Sequence, residues 1–250
     1  MTARRIATIF DLDGTLVQTE ALKAQSYARA AVELRPDAIA AQIVAAYDDM
    51  VGQSREQVAA ALLARFGLEA HAERRMQELG VSTPLDTYMA LRLRIYEAMI
   101  ENEQLIREQE YPCSTALLRS VRRMGYPVGI ATMSHRKHAA LVLQRLGLSG
   151  DIDELVTRED VQHAKPSPEI YLLIAKRLGA EPRDCFVLED STPGVRAATA
   201  AGMQCVAITN DMTRDAIHAA NVLPRERIVD DPERLDAVAR ELLDDLARPR

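Results

Sequence analysis

The chain holds 250 residues, 48% hydrophobic and 27% charged, which suits one large domain or two smaller ones with a proper core. A formal net charge of −6, with no run of Lys and Arg, argues against a broad nucleic-acid surface. Three scattered cysteines, Cys113, Cys185 and Cys205, form neither a CxxC motif nor a Cys/His cluster, so neither a disulfide framework nor a thiolate metal site is expected.

The opening residues, MTARRIATIF, contain no apolar leader core, and no later stretch approaches the roughly 18 apolar residues of a membrane helix. A reduced, cytoplasmic setting with no membrane partner is the expectation. A strand over 5–10 (RIATIF) runs into IFDLDGTLV, where Asp11 and Asp13 stand one residue apart ahead of Gly14. From 17 to 105 the chain is rich in Ala, Leu, Glu, Arg and Gln and carries no strand pattern. Within it Ser54-Arg55-Glu56-Gln57 reads as a capping box, opening a helix that ARFGL closes at 64–68. These consecutive helices predict an all-helical domain over 17–105, inserted into a core made of 1–16 and 106–250. A single domain with the same helices packed on its sheet is the plainer arrangement.

Beyond the insertion, strands are predicted over 127–132 (PVGIAT), 152–156 (IDELV), 184–188 (DCFVL) and 204–209 (QCVAIT), with a weaker one at 226–229. Helices between them end on Lys or Arg followed by Gly: RRMG at 122–125, LQRLGL at 143–148 and AKRLGA at 175–180. Ser167-Pro168 and Thr192-Pro193 each read as an N-cap followed by proline at the first helical position. Strands alternating with helices predict an α/β fold, a parallel sheet joined by right-handed crossovers.

Four short motifs then fall at the carboxyl ends of four predicted strands, the edge where open α/β sheets bind ligands. They are Asp11 with Asp13, Thr132 with Ser134 in GIATMSHRK, Lys165 in HAKPSPE, and Glu189-Asp190 in VLEDSTPG. Singly each is weak: an Asp-x-Asp is usually a solvated turn, a Thr at a strand end a cap and a Lys a surface residue. Jointly they fit phosphoryl transfer. A hard divalent cation such as Mg²⁺ takes a few carboxylate or carbonyl oxygens plus waters and phosphate oxygens. Asp11, Asp190 and the Asp13 carbonyl can supply the protein's share, and the ion lets several acids crowd together. Asp11 then serves as nucleophile and Asp13 as proton carrier. Lys165 and the Thr132 hydroxyl meet the phosphoryl group, and Gly14 permits a tight turn with bare amides.

Taken together, DLDGTL, the Thr132 strand end, Lys165-Pro166 and LEDS-x-x-G resemble the haloacid dehalogenase superfamily of aspartyl-phosphate enzymes. More narrowly, the chain resembles its β-phosphoglucomutase-like group of phosphatases and mutases, from Ile6 to about Asp231. The resemblance implies a Rossmann-like core with a helical cap after the first motif. It also implies Asp11 as nucleophile, Asp13 as acid/base, and Thr132 and Lys165 on the phosphoryl group. Mg²⁺ would rest on Asp11, Asp13 and Asp190, with Glu189 in the metal's neighbourhood. Relatives that cleave carbon–halogen or carbon–phosphorus bonds lack an acid where this chain has Asp13, so a phosphate ester is the expected substrate.

Several cap positions depart from the group. An acid usually follows the first motif, and here Gln18 stands in its place. VGQSR at 51–55 resembles the loop whose arginine reaches the distal part of a sugar phosphate, which would make Arg55 a substrate contact; the alternative is a solvated helix-start arginine. Sugar phosphomutases carry a histidine where this chain has Lys23, and a mutase-type cap lysine aligns near Arg92. Arg92 and Arg94 alternatively form a polar helix face. Ser134 and His135 either touch substrate or face solvent at a helix start. The resulting expectation is a Mg²⁺-dependent phosphatase for a small phosphorylated metabolite of the sugar or polyol phosphate class, acting as a monomer or small homo-oligomer. A sugar phosphomutase is the alternative. A receiver-like phospho-binding module, about 120 residues in one small domain, lacks a helical insertion and fits less well.

Overall fold

In the computed structural model, which describes residues 5–50 and 54–248, the first apolar run forms β1 (Ala7–Phe10), buried on both faces. Six helices follow. They are α1 (Thr19–Leu34), α2 (Ala40–Asp48), α3 (Arg55–Arg65), α4 (Glu69–Glu73), α5 (Met76–Leu79) and α6 (Pro84–Glu101). After α7 (Glu103–Glu108) and α8 (Pro112–Arg123) the chain enters β2 (Val128–Ala131), then α9 (Arg136–Arg145) and β3 (Glu154–Val156). The last third runs α10 (Glu169–Leu178), β4 (Cys185–Glu189), α11 (Thr192–Ala200) and β5 (Gln204–Ile208). It ends with α12 (Arg214–Ala220), β6 (Ile228–Val229) and α13 (Leu235–Ala247). The chain forms two compact units, one of Thr19–Leu105 and one of the segments that end at Gln18 and resume at Ile106.

The α/β unit is built on one six-stranded sheet in the order β3-β2-β1-β4-β5-β6, parallel throughout. A parallel sheet is covered on both faces, which is why its strands read as unbroken apolar runs. One face buries Ile9, Val187 and Cys205 against Ile170 and Ile174 of α10 and Val195 of α11. On the other, Phe10 meets Phe186 edge-on at 6.3 Å. The register sets the functional edge. Phe10 lies opposite both Ile130 and Leu188, so β1, β2 and β4 leave the sheet at one level. The central strand thus has a parallel neighbour on each side, the crevice position of an open sheet. Where the helical insertion leaves and returns, Gln18 N–H donates to the Gln109 carbonyl at 2.8 Å and Tyr111 N–H to the Leu16 carbonyl at 2.9 Å.

The helical unit has its own core, with Tyr27, Leu62, Leu68, Tyr88 and Leu91 buried together. The Tyr88 hydroxyl donates to the Tyr27 carbonyl at 2.9 Å, tying α6 to α1. The capping box at α3 is formed in both directions between Ser54 and Gln57, while Val51, Gly52 and Gln53 of the VGQSR stretch lie outside the described residues. Arg94 is an exposed helix-face residue paired with Glu33. Arg92 is not: it is 3% exposed, and its guanidinium lies over the rings of Tyr27 at 4.7 Å and Tyr96 at 4.8 Å.

Two predicted caps shift by one residue. Ser191, not Thr192, caps α11, because its hydroxyl oxygen accepts from Gly194 N–H at 3.1 Å while Thr192 is already helical. At α10 the helix begins on Glu169 with Pro168 before it, so the proline stands in the cap position. Among the described residues no helix is long and apolar enough to cross a membrane.

Candidate active site

Asp11 is the first residue beyond β1, and its N–H donates to the Leu188 carbonyl at 3.0 Å, which fixes it against β4. Its side chain is almost wholly buried, and Oδ1 accepts from the Lys165 ammonium at 2.6 Å. The same ammonium donates to Glu189 Oε1 at 2.6 Å and to the Ala131 carbonyl at 3.0 Å. Among the described residues no donor is paired with Asp11 Oδ2. One oxygen is therefore anchored and the other left available.

Gly14 sits at φ +88°, a left-handed turn that a side chain rarely adopts. A Cβ there would lie 2.1 Å from Asp190 Oδ2, so the glycine also makes room for that carboxylate. Asp190 follows β4 and accepts from the Thr15 hydroxyl at 3.3 Å and the Asn210 amide at 3.2 Å. Gly14→Ala is expected to push Asp190 out of place and lower turnover by about 10²-fold, the order seen for misplacement by about 1 Å. Steady-state kinetics beside a circular dichroism spectrum checks this; a folded variant with unchanged turnover would mean Asp190 has room to spare.

On the opposite side of β1, Thr132 follows β2, with its N–H bonded to the Val156 carbonyl at 3.0 Å. Its hydroxyl donates to Asp13 Oδ2 at 3.0 Å, and the Ser134 hydroxyl donates to the same oxygen at 2.7 Å. Both residues expected near the phosphoryl group or the substrate are thus brought together on Asp13. His135 is half-exposed and pairs with Glu159 at 2.7 Å, as a solvent-facing helix start would.

The charges of this edge do not balance. Carboxylate oxygens of Asp11, Glu189 and Asp190 lie within 4.8 Å of one another. Lys165 serves Asp11 and Glu189, and among the described residues Asp190 has neutral donors only. Burial pushes the Asp11 carboxyl up to about 8, with Lys165 pulling down and Glu189 and Asp13 pushing up. Burial likewise holds Asp190 well above the usual carboxylate range, reinforced by the Glu189 and Asp11 charges. Burial opposes the Glu189 charge too, yet Lys165 and the Tyr171 hydroxyl keep that carboxyl below its ordinary value. The Lys165 ammonium is held more firmly than usual: Asp11 and Glu189 outweigh its burial. All-oxygen donors with surplus buried negative charge fit a hard divalent cation.

Lys23 and Arg55 belong to the helical unit. Lys23 pairs with Glu20 at 2.6 Å, and Arg55, at the start of α3, accepts the Tyr27 hydroxyl on its carbonyl at 3.3 Å. Four further residues at the sheet edge donate to Asp190 or Glu189: Thr15 and Ser191, which lie within the quoted motifs but had no role assigned, and Asn210 and Tyr171, which the sequence reading did not single out. Asn210 had a usable signal, since it stands just past the fifth strand on the same edge. Tyr171 had a fainter one, a hydroxyl on the buried face of α10.

Comparison with known proteins agrees with this geometry. Residues 7–202 match the haloacid dehalogenase-like hydrolase family and residues 163–242 a HAD-hydrolase-like family. The Thermotoga maritima phosphorylated carbohydrates phosphatase is 30% identical over 200 residues, 79% of this chain and 82% of that protein. The phosphatase candidate YhcW of Bacillus subtilis is 40% identical over 106 residues, 42% of this chain and only 48% of that protein's length. A crystal structure of a β-phosphoglucomutase candidate from Thermotoga maritima superposes with a TM-score of 0.72 at 25% identity, covering 95% of this chain and 100% of that one. The chain therefore belongs to the haloacid dehalogenase-like hydrolases and is a phosphoric monoester hydrolase of that family.

Proposed function

We propose that the protein is a Mg²⁺-dependent phosphatase that transfers the phosphoryl group of a small sugar or polyol phosphate first to Asp11 and then to water. The observation that carries this is Asp11, buried, with Oδ1 anchored by Lys165 and Oδ2 without a donor among the described residues. Asp11 and Asp190, with the Asp13 carbonyl, would hold the ion. Mg²⁺, when bound, neutralises phosphate charge that would otherwise repel the carboxylate.

In this reading Asp11 Oδ2 forms a bond to phosphorus as the ester oxygen leaves, and that oxygen takes a proton from Asp13. Asp13, now ionised, takes a proton from water as the water attacks phosphorus. The acyl phosphate bond breaks, inorganic phosphate departs and Asp11 is regenerated. Thr132 and Ser134 orient the Asp13 carboxyl through their hydroxyls. Lys165 offsets the charge on Asp11 throughout.

The helical unit, in the same reading, acts as a cap that selects the substrate and keeps bulk water away. Its cationic residues support an anionic or hydroxyl-rich substrate. Arg92 Nε and Nη1 are buried with no hydrogen-bond partner among the described residues, and both burial and Arg92 work against the Arg55 charge. Arg55 and Lys23 are the proposed substrate contacts. The phosphorylated-carbohydrate name of the Thermotoga relative points the same way. A sugar phosphomutase is the second reading, favoured by the likeness to the β-phosphoglucomutase candidate. Lys23 in place of the mutase histidine speaks against it.

Phosphate release from a panel of sugar, polyol and nucleotide monophosphates, with Mg²⁺ and with EDTA, tests the reading. Release from one sugar or polyol class that EDTA abolishes is the expected result, and Arg55→Ala should raise KM for that compound while sparing an aryl phosphate. Release that EDTA leaves untouched would sink the metal assignment. A silent panel combined with isomerisation of hexose 1-phosphates, given a bisphosphate primer, would establish the mutase.

A further inference from the structure

Both oxygens of Glu189 are already engaged. Oε1 accepts from Lys165 at 2.6 Å and from the Tyr171 hydroxyl at 2.7 Å. Oε2 accepts from the amides of Asp190 at 3.0 Å and Ser191 at 3.1 Å, and from the Ser191 hydroxyl at 3.0 Å. An ionised carboxylate offers about four lone-pair sites, and these five donors fill them. The carboxylate is fully buried, in space that Gly194 leaves open: a Cβ there would lie 1.8 Å from Oε1. A hard cation needs a lone pair turned toward it, and Glu189 keeps none free.

Tyr171 has no part in the chemistry described above, yet it is buried at the centre of this arrangement. Its ring centroid lies 5.1 Å from the Lys165 nitrogen, and its hydroxyl ends on the oxygen that this ammonium also uses. Lys165 spends its three N–H bonds on Asp11, Glu189 and the Ala131 carbonyl. Its aim at Asp11 is therefore fixed by the other two, and the Glu189 carboxylate is fixed by Tyr171 and Ser191.

We propose that Tyr171 is a positioning residue for Lys165, acting through Glu189, and that Glu189 holds the lysine ammonium and is not a metal ligand. The activity readout rests on the phosphatase reading; the binding and resonance readouts do not. Tyr171→Phe keeps the ring and removes only the hydroxyl, Glu189→Gln keeps the shape and removes the charge, and Asp190→Asn is the metal-ligand comparison. Each full-length protein is titrated with Mn²⁺ by electron paramagnetic resonance and assayed on an aryl phosphate. The Lys165 ammonium is also followed by ¹⁵N NMR.

Tyr171→Phe is expected to bind Mn²⁺ as the parent does, to lower kcat about tenfold with KM unchanged, and to broaden the Lys165 resonance. Glu189→Gln is expected to lose more activity, again at unchanged Mn²⁺ affinity. Asp190→Asn should weaken Mn²⁺ binding at least about tenfold. Glu189→Gln that weakens Mn²⁺ binding as far as Asp190→Asn overturns the assignment. So does Tyr171→Phe with an unchanged Lys165 resonance. A parent protein silent on every phosphate ester would instead overturn the phosphatase reading, with the Mn²⁺ and NMR measurements still deciding the roles of Glu189 and Tyr171.

Discussion

Asp11→Asn protein is expected to fold and to release phosphate at least about 10⁴-fold more slowly than the parent, the scale at which a covalent nucleophile is lost. Asparagine has the same shape as the aspartate and keeps an oxygen for Lys165. It cannot donate an electron pair to phosphorus as a carboxylate does. The backbone bond from residue 11 to the Leu188 carbonyl is untouched, so β1 stays in register with β4. Rapid-quench measurement of a phosphorylated protein, with circular dichroism as the folding control, checks both halves. A variant that still turns over at the parent rate would move the nucleophile away from Asp11.

Lys165→Met is expected to give the largest loss of stability, about 3–5 kcal/mol, because it leaves charged groups buried without their cation. Asp11 and Glu189 both bond to this ammonium at 2.6 Å, and the side chains of all three are less than a tenth exposed. Methionine fills much of the lysine volume, so packing loss does not account for such a cost. Urea denaturation in EDTA measures it, with Mg²⁺ restoring part of the loss. A cost below about 1 kcal/mol would place the lysine with ordinary surface pairs, which contribute in that range.

Much of this was legible in the chain. The buried parallel strands announced themselves as apolar runs of the right length, and all six lie where those runs predict, with ends shifted by a residue or two, β4 running one further to Glu189. The motifs at their ends were legible because a parallel sheet sends every carboxyl end to one edge. Contacts that depend on side chains from distant elements were not. Nothing in LRLRIY distinguishes Arg92, stacked on Tyr27 from another helix, from Arg94 two residues on, which faces solvent. Ser134 was legible as a polar residue near the site, but its bond to Asp13 depends on how two loops meet. Tyr171 serves Glu189 from α10 and was an unremarked helical residue, while Gly194 of α11 was legible as the end of LEDS-x-x-G but not as the space that this carboxylate fills. The Ser191 cap was missed because Thr192-Pro193 carries an equally good signal one position later.

The insertion has a consequence for how the chain matures during synthesis. Thr19–Leu105 is one continuous segment with its own buried core, so its contacts are complete as soon as that stretch has left the ribosome. The sheet has no such privilege. Ala7 must wait for Cys185 before β1 gains its second neighbour, and the edge that gathers Asp11, Glu189 and Asp190 cannot close before then. Until β2 is made, β1 is an unpaired apolar strand tethered to a folded helical body, and until β4 is made it has one neighbour only. The short stem formed by Leu16, Gln18, Gln109 and Tyr111 is the first local pairing able to hold it beside the arriving β2. Nascent chains stalled once Leu105 has cleared the ribosome, but before Cys185 has, should therefore carry a protease-resistant helical fragment ahead of any complete α/β core.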